Sequence, residues 1–221
     1  MSVRDELYLT LNRNGHEQRR AMLDEFETHP VYQRDYYASI KEYRRQVVQR
    51  LERVSKKKFF SARDYTRDPV RFLTGLRTLS YIDYSTSIKA GVHFTLCGGS
   101  IAALGSQKHQ SLLDELDALS KFGCLAMTEL GHGSNVAGIE TRAVYDAQTR
   151  EFVIHTPNEA AQKFWIGGAA EDANISVVMA QLEMNDKNQG VHAFVVELRN
   201  PDKTLKKGVL IKDNGPKLGY V

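Results

Sequence analysis

Apolar positions recur at intervals of three and four through the first half of the chain and at intervals of two through much of the second. After Tyr36, the residues Ile40, Tyr43, Val47, Leu51 and Val54 draw one apolar stripe, opposite Arg44, Arg45, Arg50 and Arg53. That spacing predicts an amphipathic helix with the stripe inward and the arginine face in solvent. A second such helix is predicted after Pro69, a residue suited to a first-turn position, with Phe72, Leu76, Leu79 and Ile82 on one side. The run Gly91 to Gly105, "GVHFTLCGGSIAALG", is small and apolar all round and reads as a helix buried among others. In "SQKHQSLLDELDALS", Ser106 stands at the N-cap position of a further helix, with Leu112, Leu113, Leu116 and Leu119 inward.

From Phe122 onward the pattern changes to short alternating runs separated by turn residues. The predicted strands are 122–127, 140–145, 151–155, 163–166, 175–182 and 191–198. "DAQTRE" reads as a hairpin turn and "EMNDKNQG" as a longer polar loop. Helices followed by strands argue for an α+β fold with segregated halves. The expected domains are an all-helical one over 1–121 and a β domain over 122–221.

Composition narrows the classes of function. A chain of 221 residues that is 42% hydrophobic is long enough to bury a core. A net charge of +3, with bases and acids interspersed, gives no basic stripe for nucleic acid, and Lys56-Lys57-Lys58 reads as a solvated helix end. The two cysteines, Cys97 and Cys124, lie in apolar runs without metal-ligand spacing and are expected to be buried free thiols. No apolar run reaches the length of a membrane span, and charges throughout the first twenty residues argue against a secretory signal. A soluble, intracellular chain is expected. The last residues, "KLGYV", are not a Ser-Lys-Leu address, and they end abruptly after a Pro-Lys turn.

Two stretches carry chemistry. In "CLAMTELGHGSN", an apolar strand runs into Thr128 and Glu129 and then a turn with Gly131, His132, Gly133 and Ser134. The stretch lacks the second glycine and the following helix of a nucleophile elbow, which discounts Ser134 as a hydrolytic nucleophile, and His132 reads as an exposed loop residue. What remains is a row of donors: the Thr128 and Ser134 hydroxyls and the N–H groups of Gly131 and Gly133. Such an edge suits a planar heteroaromatic ring rich in acceptors, and a flavin fits; a plain tight turn is the alternative. The second stretch, "AQKFWIGGAA", places the only tryptophan, Trp165, in a short apolar strand that runs into Gly167-Gly168. There the backbone can approach a flat ligand while the indole covers its face, and the two stretches together make a plausible two-sided clamp.

These residues also resemble a known family. "GCLAMTELGHGSNVAGIETRAVYDAQTREFVIHTP", followed by "KFWIGGAA", "VVMAQL", "QGVHAFVVELRN" and "IKDNGPKLG", resembles the acyl-CoA oxidases within the acyl-CoA dehydrogenase superfamily, over 104–219. "TELGHGSN" and "WIGG" tilt the resemblance to the oxidase branch rather than to dehydrogenases that pass electrons to a carrier protein. The resemblance implies an N-terminal helical domain, an antiparallel β-barrel or sandwich domain, and a C-terminal helical region, with FAD between the last two. It implies that Thr128 bonds the flavin pyrimidine edge, that Gly167 meets the cofactor through its backbone, that Trp165 lies near the ring, and that Gly133 and Ser134 lie near the flavin or the thioester arm.

The implied reaction is α,β-desaturation of a fatty acyl-CoA, with O₂ reoxidising the flavin to give hydrogen peroxide, in a peroxisomal homodimer. The family's catalytic glutamate lies in the C-terminal helical region, so no catalytic residue is assigned to this chain, not to Glu129, Glu140, Glu151, Glu171 or Glu183. The C-terminal helical region is expected to be missing, which makes the chain either a fragment of a longer oxidase or a shortened paralogue. In the second case it would act as a non-catalytic subunit or scaffold that docks through the incomplete sheet edge.

Overall fold

The computed structural model describes residues 1–12 and 14–217. The expectation about the chain's last residues falls mostly on Leu218 to Val221, outside the described residues. Two compact units emerge, one from Met1–Ser120 with the stretch from Gly215, the other Lys121–Asn214.

The first unit is helical: α1 (Val3–Asn12), α2 (His16–Thr28), α3 (Ile40–Lys56), α4 (Asp64–Arg67), α5 (Pro69–Ser80), α6 (Tyr84–Ala90), α7 (Gly99–Leu104) and α8 (Gln110–Asp117). The helix starts are chemically specified. The Ser39 side chain accepts from the Glu42 N–H at the head of α3, Asp68 caps α5 with Pro69 in its first turn, and Asp83 caps α6 through the Thr86 N–H. A π-helical stretch, Gly91–Gly98, joins α6 to α7. It buries His93, Phe94 and Cys97 but leaves Leu96 exposed, so this segment is less enclosed than its composition predicts. The core is built from Met22, Leu51, Val54, Phe72, Leu79, Phe94 and Leu116.

The arginine face of α3 is only partly in solvent. Arg50 is buried beside Leu51, where its guanidinium donates to the Val31 and Gln33 carbonyls and to Asp83 at 3.0 Å. The Tyr43 and Thr86 hydroxyls donate to the same carboxylate. Position 50 adjoins the stripe at 47, 51 and 54, and an arginine there is tolerated because its donors are matched. Lys57, in the expected solvated run, pairs with Glu25 at 2.8 Å, as does Arg53 at 2.5 Å. Both cysteines are buried thiols outside any disulfide.

The second unit holds one mixed sheet: β1 (Gly123–Ala126), β2 (Arg142–Asp146), β3 (Glu151–His155), β4 (Ile175–Met184) and β5 (Lys187–Glu197). Strand β4 is its hub. Along one edge it pairs in parallel with β1 over Ile175 to Val178 and then with β2 over Gln181 to Glu183; along the other it pairs antiparallel with β5. β3 joins through the antiparallel β2–β3 hairpin. The sheet is therefore mixed, and among the described residues it is open, which corrects the expected antiparallel barrel or sandwich. Alternation specifies which face a side chain takes and is silent on strand direction, so the two parallel pairings left no trace in the pattern.

Two further expectations change. "EMNDKNQG" is no long loop: β4 and β5 meet in a two-residue turn, Asn185-Asp186, both at positive φ (52° and 56°), as a type I′ hairpin requires. The predicted strand at 163–166 does not form; of it there is one isolated antiparallel bridge, Lys163 to Glu129. Among the described residues no helix is long and apolar enough to cross a membrane, and no group of His, Cys, Asp or Glu side chains is arranged to hold a metal.

Candidate functional site

Leaving β1, the chain forms a short rung against Ala160–Phe164. The Phe164 N–H donates to the Thr128 carbonyl at 2.9 Å, the Leu130 N–H to the Gln162 carbonyl at 2.9 Å, and the Gly131 N–H to the Ala160 carbonyl at 2.8 Å. The two chemistry-bearing stretches are thus direct neighbours, with Thr128 beside Phe164 and Trp165 following. Gly131 lies close to the facing chain: a Cβ there would sit 3.0 Å from the Ala160 Cβ, so that a larger residue would require Ala160 to shift. Its N–H is consumed by the rung, so it is not the free donor that the sequence offered.

Side chains alternate along the rung. Glu129 turns inward with its side chain fully buried, whereas Leu130 is about half exposed and Thr128 partly so. Among the described residues the hydroxyls of Thr128 and Ser134 have no hydrogen-bond partner. Gly133 is exposed, with nothing within 4 Å of where a Cβ would stand. Trp165 is not a strand residue. Its φ is +63°, a left-handed conformation that ends any strand, and its indole is 60% exposed, edge-on to Phe164 with ring centroids 5.5 Å apart. Gly167 is exposed and Gly168 takes φ +77°, its carbonyl accepting from the Asp172 and Ala173 N–H groups at 3.2 and 3.1 Å. Thr128 and Trp165 are therefore brought together on one rung. Gly133 and Ser134 lie in the turn that follows Thr128, and Gly167 two residues beyond Trp165.

Beneath this rung lies a polar network that sequence reasoning missed. Lys163 donates to Glu129 Oε1 at 3.0 Å and to the Met127 and Met179 carbonyls at 3.1 and 2.7 Å, three acceptors for the three protons of an ammonium. Glu129 Oε1 also accepts from the Thr141 N–H at 2.9 Å and hydroxyl at 2.6 Å, and Oε2 from the Glu140 N–H at 2.7 Å. Burial works against charge on Glu129, yet the Thr141 hydroxyl, the two N–H groups and Lys163 hold its carboxyl below the usual carboxylate range. Burial pulls the Lys163 ammonium below its ordinary value despite the attraction of Glu129.

His132 is not a free loop histidine. Its Nε2 lies 2.8 Å from Glu140 Oε1, while Asn158 donates to Glu140 Oε2 at 2.7 Å. His132 and then Asn158 hold the Glu140 carboxyl below its ordinary value. Reciprocal backbone bonds between Glu129 and His132, at 3.0 and 3.2 Å, fix the turn between them. Nothing in the sequence pattern signalled the network: Glu129 is out of step with the buried Cys124 and Ala126 of β1, and nothing named Lys163 as its partner.

The arrangement is a rigid, internally satisfied base carrying an outer rim of unengaged donors and one exposed indole. Three features fit the flat, acceptor-rich edge of a flavin: the unpartnered Thr128 hydroxyl, the open surface at Gly133, and the exposed Trp165 ring. The fit concerns the edge of such a ring only.

Comparison with known proteins gives a consistent picture. Residues 124–221 match the family described as acyl-CoA dehydrogenase, middle domain. The chain is 49% identical over 152 residues to acyl-coenzyme A oxidase 3, peroxisomal, of Arabidopsis thaliana, an alignment covering 68% of this chain and 22% of that one. Among solved structures it resembles acyl-CoA oxidase 1 from Yarrowia lipolytica, with a TM-score of 0.81, 33% identity, and 92% of this chain and 30% of that one covered. It also resembles acyl-CoA oxidase 2 in Caenorhabditis elegans, a structure bound with FAD, ascaroside-CoA and ATP, with a TM-score of 0.78, 27% identity, and 96% and 33% covered. The chain thus spans between about a fifth and a third of the length of the proteins it matches.

Proposed function

We propose, on the premise that this chain belongs to the acyl-CoA oxidase family within the acyl-CoA dehydrogenase superfamily, that it supplies the flavin-edge portion of an FAD-dependent acyl-CoA oxidase. The observation that carries the reading is the Thr128 hydroxyl. It is a donor without a described partner, on a rung whose buried Glu129 and Lys163 side chains are matched and whose neighbour carries the exposed Trp165.

In this reading the division of labour is as follows. Thr128 donates to the pyrimidine edge of the flavin, where a held donor stabilises the negative charge that develops on reduction. Trp165 lies against the ring, and the Gly167 backbone meets the cofactor. The turn at Gly133 and Ser134 lies near the flavin or the thioester arm of the substrate. FAD bound there would supply the acceptor for the β hydrogen of a fatty acyl-CoA as hydride, with the α proton leaving to a separate base, and reoxidation by O₂ would return the two electrons and two protons as hydrogen peroxide. What this chain's residues contribute is orientation and the exclusion of competing geometries. Glu129 is unsuited to removing the α proton: it is buried, and four hydrogen bonds hold it in its charged form. The domains are taken as 1–121 and 122–221, the latter being part of a larger β domain, and the working protein as a peroxisomal homodimer. The peroxisomal relative and the FAD-bound neighbour support this assignment.

The test uses the sole tryptophan as reporter. FAD titrated into the chain is expected to quench Trp165 emission, and Thr128→Val to weaken that binding about tenfold, the equivalent of ~1.4 kcal/mol for one donor. Incubated with palmitoyl-CoA, the 221-residue chain by itself is expected to release little or no peroxide. Release at ordinary enzyme rates would place the base among its own carboxylates and refute the assignment.

A further inference from the structure

We propose that Lys163 is a positioning residue, whose ammonium, acting through Glu129 and two backbone carbonyls, holds the Thr128 hydroxyl and the Trp165 indole in one fixed presentation. The inference rests on the proposed function only for the identity of the ring being presented.

Its basis is how few backbone bonds join the two sides of this rung. Residues 128–131 and 160–164 form no regular strand pair; one isolated bridge and three backbone hydrogen bonds join them. Trp165 sits in a left-handed conformation, which an L-residue leaves unless its surroundings hold it. Lys163, two residues earlier, ties three segments at once: Met127 just past β1, the rung at Glu129, and β4 at Met179; the Thr141 hydroxyl adds a second tie, to Glu129 Oε1 and the Ala161 carbonyl at 2.6 and 3.3 Å. The side chain is 13% exposed and its partner carboxylate is fully buried, so neither is free to exchange partners with water. Glu129 in turn grips Glu140 and Thr141, at the start of β2. The pair thus anchors the rung to β4, the strand that pairs with β1, β2 and β5, while making no use of its outer rim.

A buried ion pair that served stability alone would affect unfolding and leave the native presentation of Trp165 unchanged. The experiment therefore reads the tryptophan in the folded, flavin-free 221-residue chain. Lys163→Met and Glu129→Gln are compared with the wild type by the longest-wavelength near-ultraviolet dichroism band, acrylamide quenching of emission, and far-ultraviolet dichroism. Loss of the Trp165 band and altered quenching are expected in Lys163→Met with secondary structure retained. A band and quenching unchanged in both variants, with only a lowered melting temperature, would overturn the proposal. Should Lys163→Met fail to fold, Glu129→Gln decides alone: Glu129→Gln leaves Lys163 its two carbonyls, and a band lost there supports the proposal, a band retained refutes it.

FAD added afterwards separates this from the functional reading. Failure of the wild type to bind FAD, with the band lost in the variants, counts against the flavin assignment and leaves the positioning role standing. Binding of FAD to Lys163→Met with wild-type affinity, where about a tenfold loss is expected, would refute the positioning role itself.

Discussion

His93 makes the helical unit sensitive to mild acid. It is 1% exposed in the π-helical stretch, its Nε2 2.9 Å from the Leu116 carbonyl. Burial lowers its pKa from 6.5 to about 4, with nearby Lys89 adding to the effect and the bond to Leu116 opposing it. The sign follows from linkage. The unfolded chain takes up this proton near pH 6.5 and the folded chain only near 4, so the stabilising contribution is fully present above the unfolded value and is lost as the pH falls between the two. A shift of that size corresponds to about 3 kcal/mol at ~1.4 kcal/mol per unit. That is a large share of the ~5–15 kcal/mol typical of a folded protein. It equates to a fall in melting temperature of roughly 6–12 °C for a chain of this length. Urea unfolding between pH 7 and pH 4 should show the slope in the wild type and lose it in His93→Gln. Glu25 and Asp83, whose carboxyls are also held low, give up their contributions only below the ordinary carboxylate range, so the difference between the two proteins isolates the histidine. Parallel stability curves for wild type and His93→Gln across this window would refute the reasoning.

Other outcomes are specified as closely. Asp83→Asn should destabilise the helical unit by about 3–5 kcal/mol in denaturant titration, because it leaves Arg50, with a side chain 2% exposed, without its counter-charge; replacing both by apolar residues of similar volume should recover much of the loss. Asp186→Gly should raise the melting temperature, since it removes a left-handed conformation from an L-residue and is worth about 1 kcal/mol in the hairpin turn; an unchanged or lowered value would argue against the I′ geometry.

Much of the helical unit was legible because its periodicity is local. Pro69 announces a helix start within one turn, and the stripe through Val47, Leu51 and Val54 needs no knowledge of its partner, although Ile40 at its head is exposed. Arg50 escaped because a charged residue beside a stripe is buried only if a distant Asp83 meets it, and that pairing spans 33 residues. The β2–β3 hairpin was legible for the same local reason. The parallel attachment of β1 and β2 to β4 was not, since strand direction is set by how the connections return. In the site, Thr128, Gly133, Ser134, Trp165 and Gly167 were picked out by type and neighbours, yet Trp165 was read as a strand residue, because a left-handed tryptophan contradicts its own propensity. The Glu129–Lys163 pair lies 34 residues apart and has no spacing signature.

The hub position of β4 bears on when this sheet can exist during synthesis. Neither β1 nor β2 has a neighbour toward the core until residues 175–184 have been made: Phe122 pairs with Asn174 across 52 residues, and Ile139 with Gln181 across 42. Loops of that length close slowly, whereas the β4–β5 hairpin closes through two residues. On a ribosome the apolar strand Cys124 to Ala126 therefore waits, unpaired, for some fifty further residues, and the order of assembly runs against the order of synthesis. The interval is the one in which this segment is most open to chaperones or to aggregation, and it ends when the hairpin offers β4 as a template.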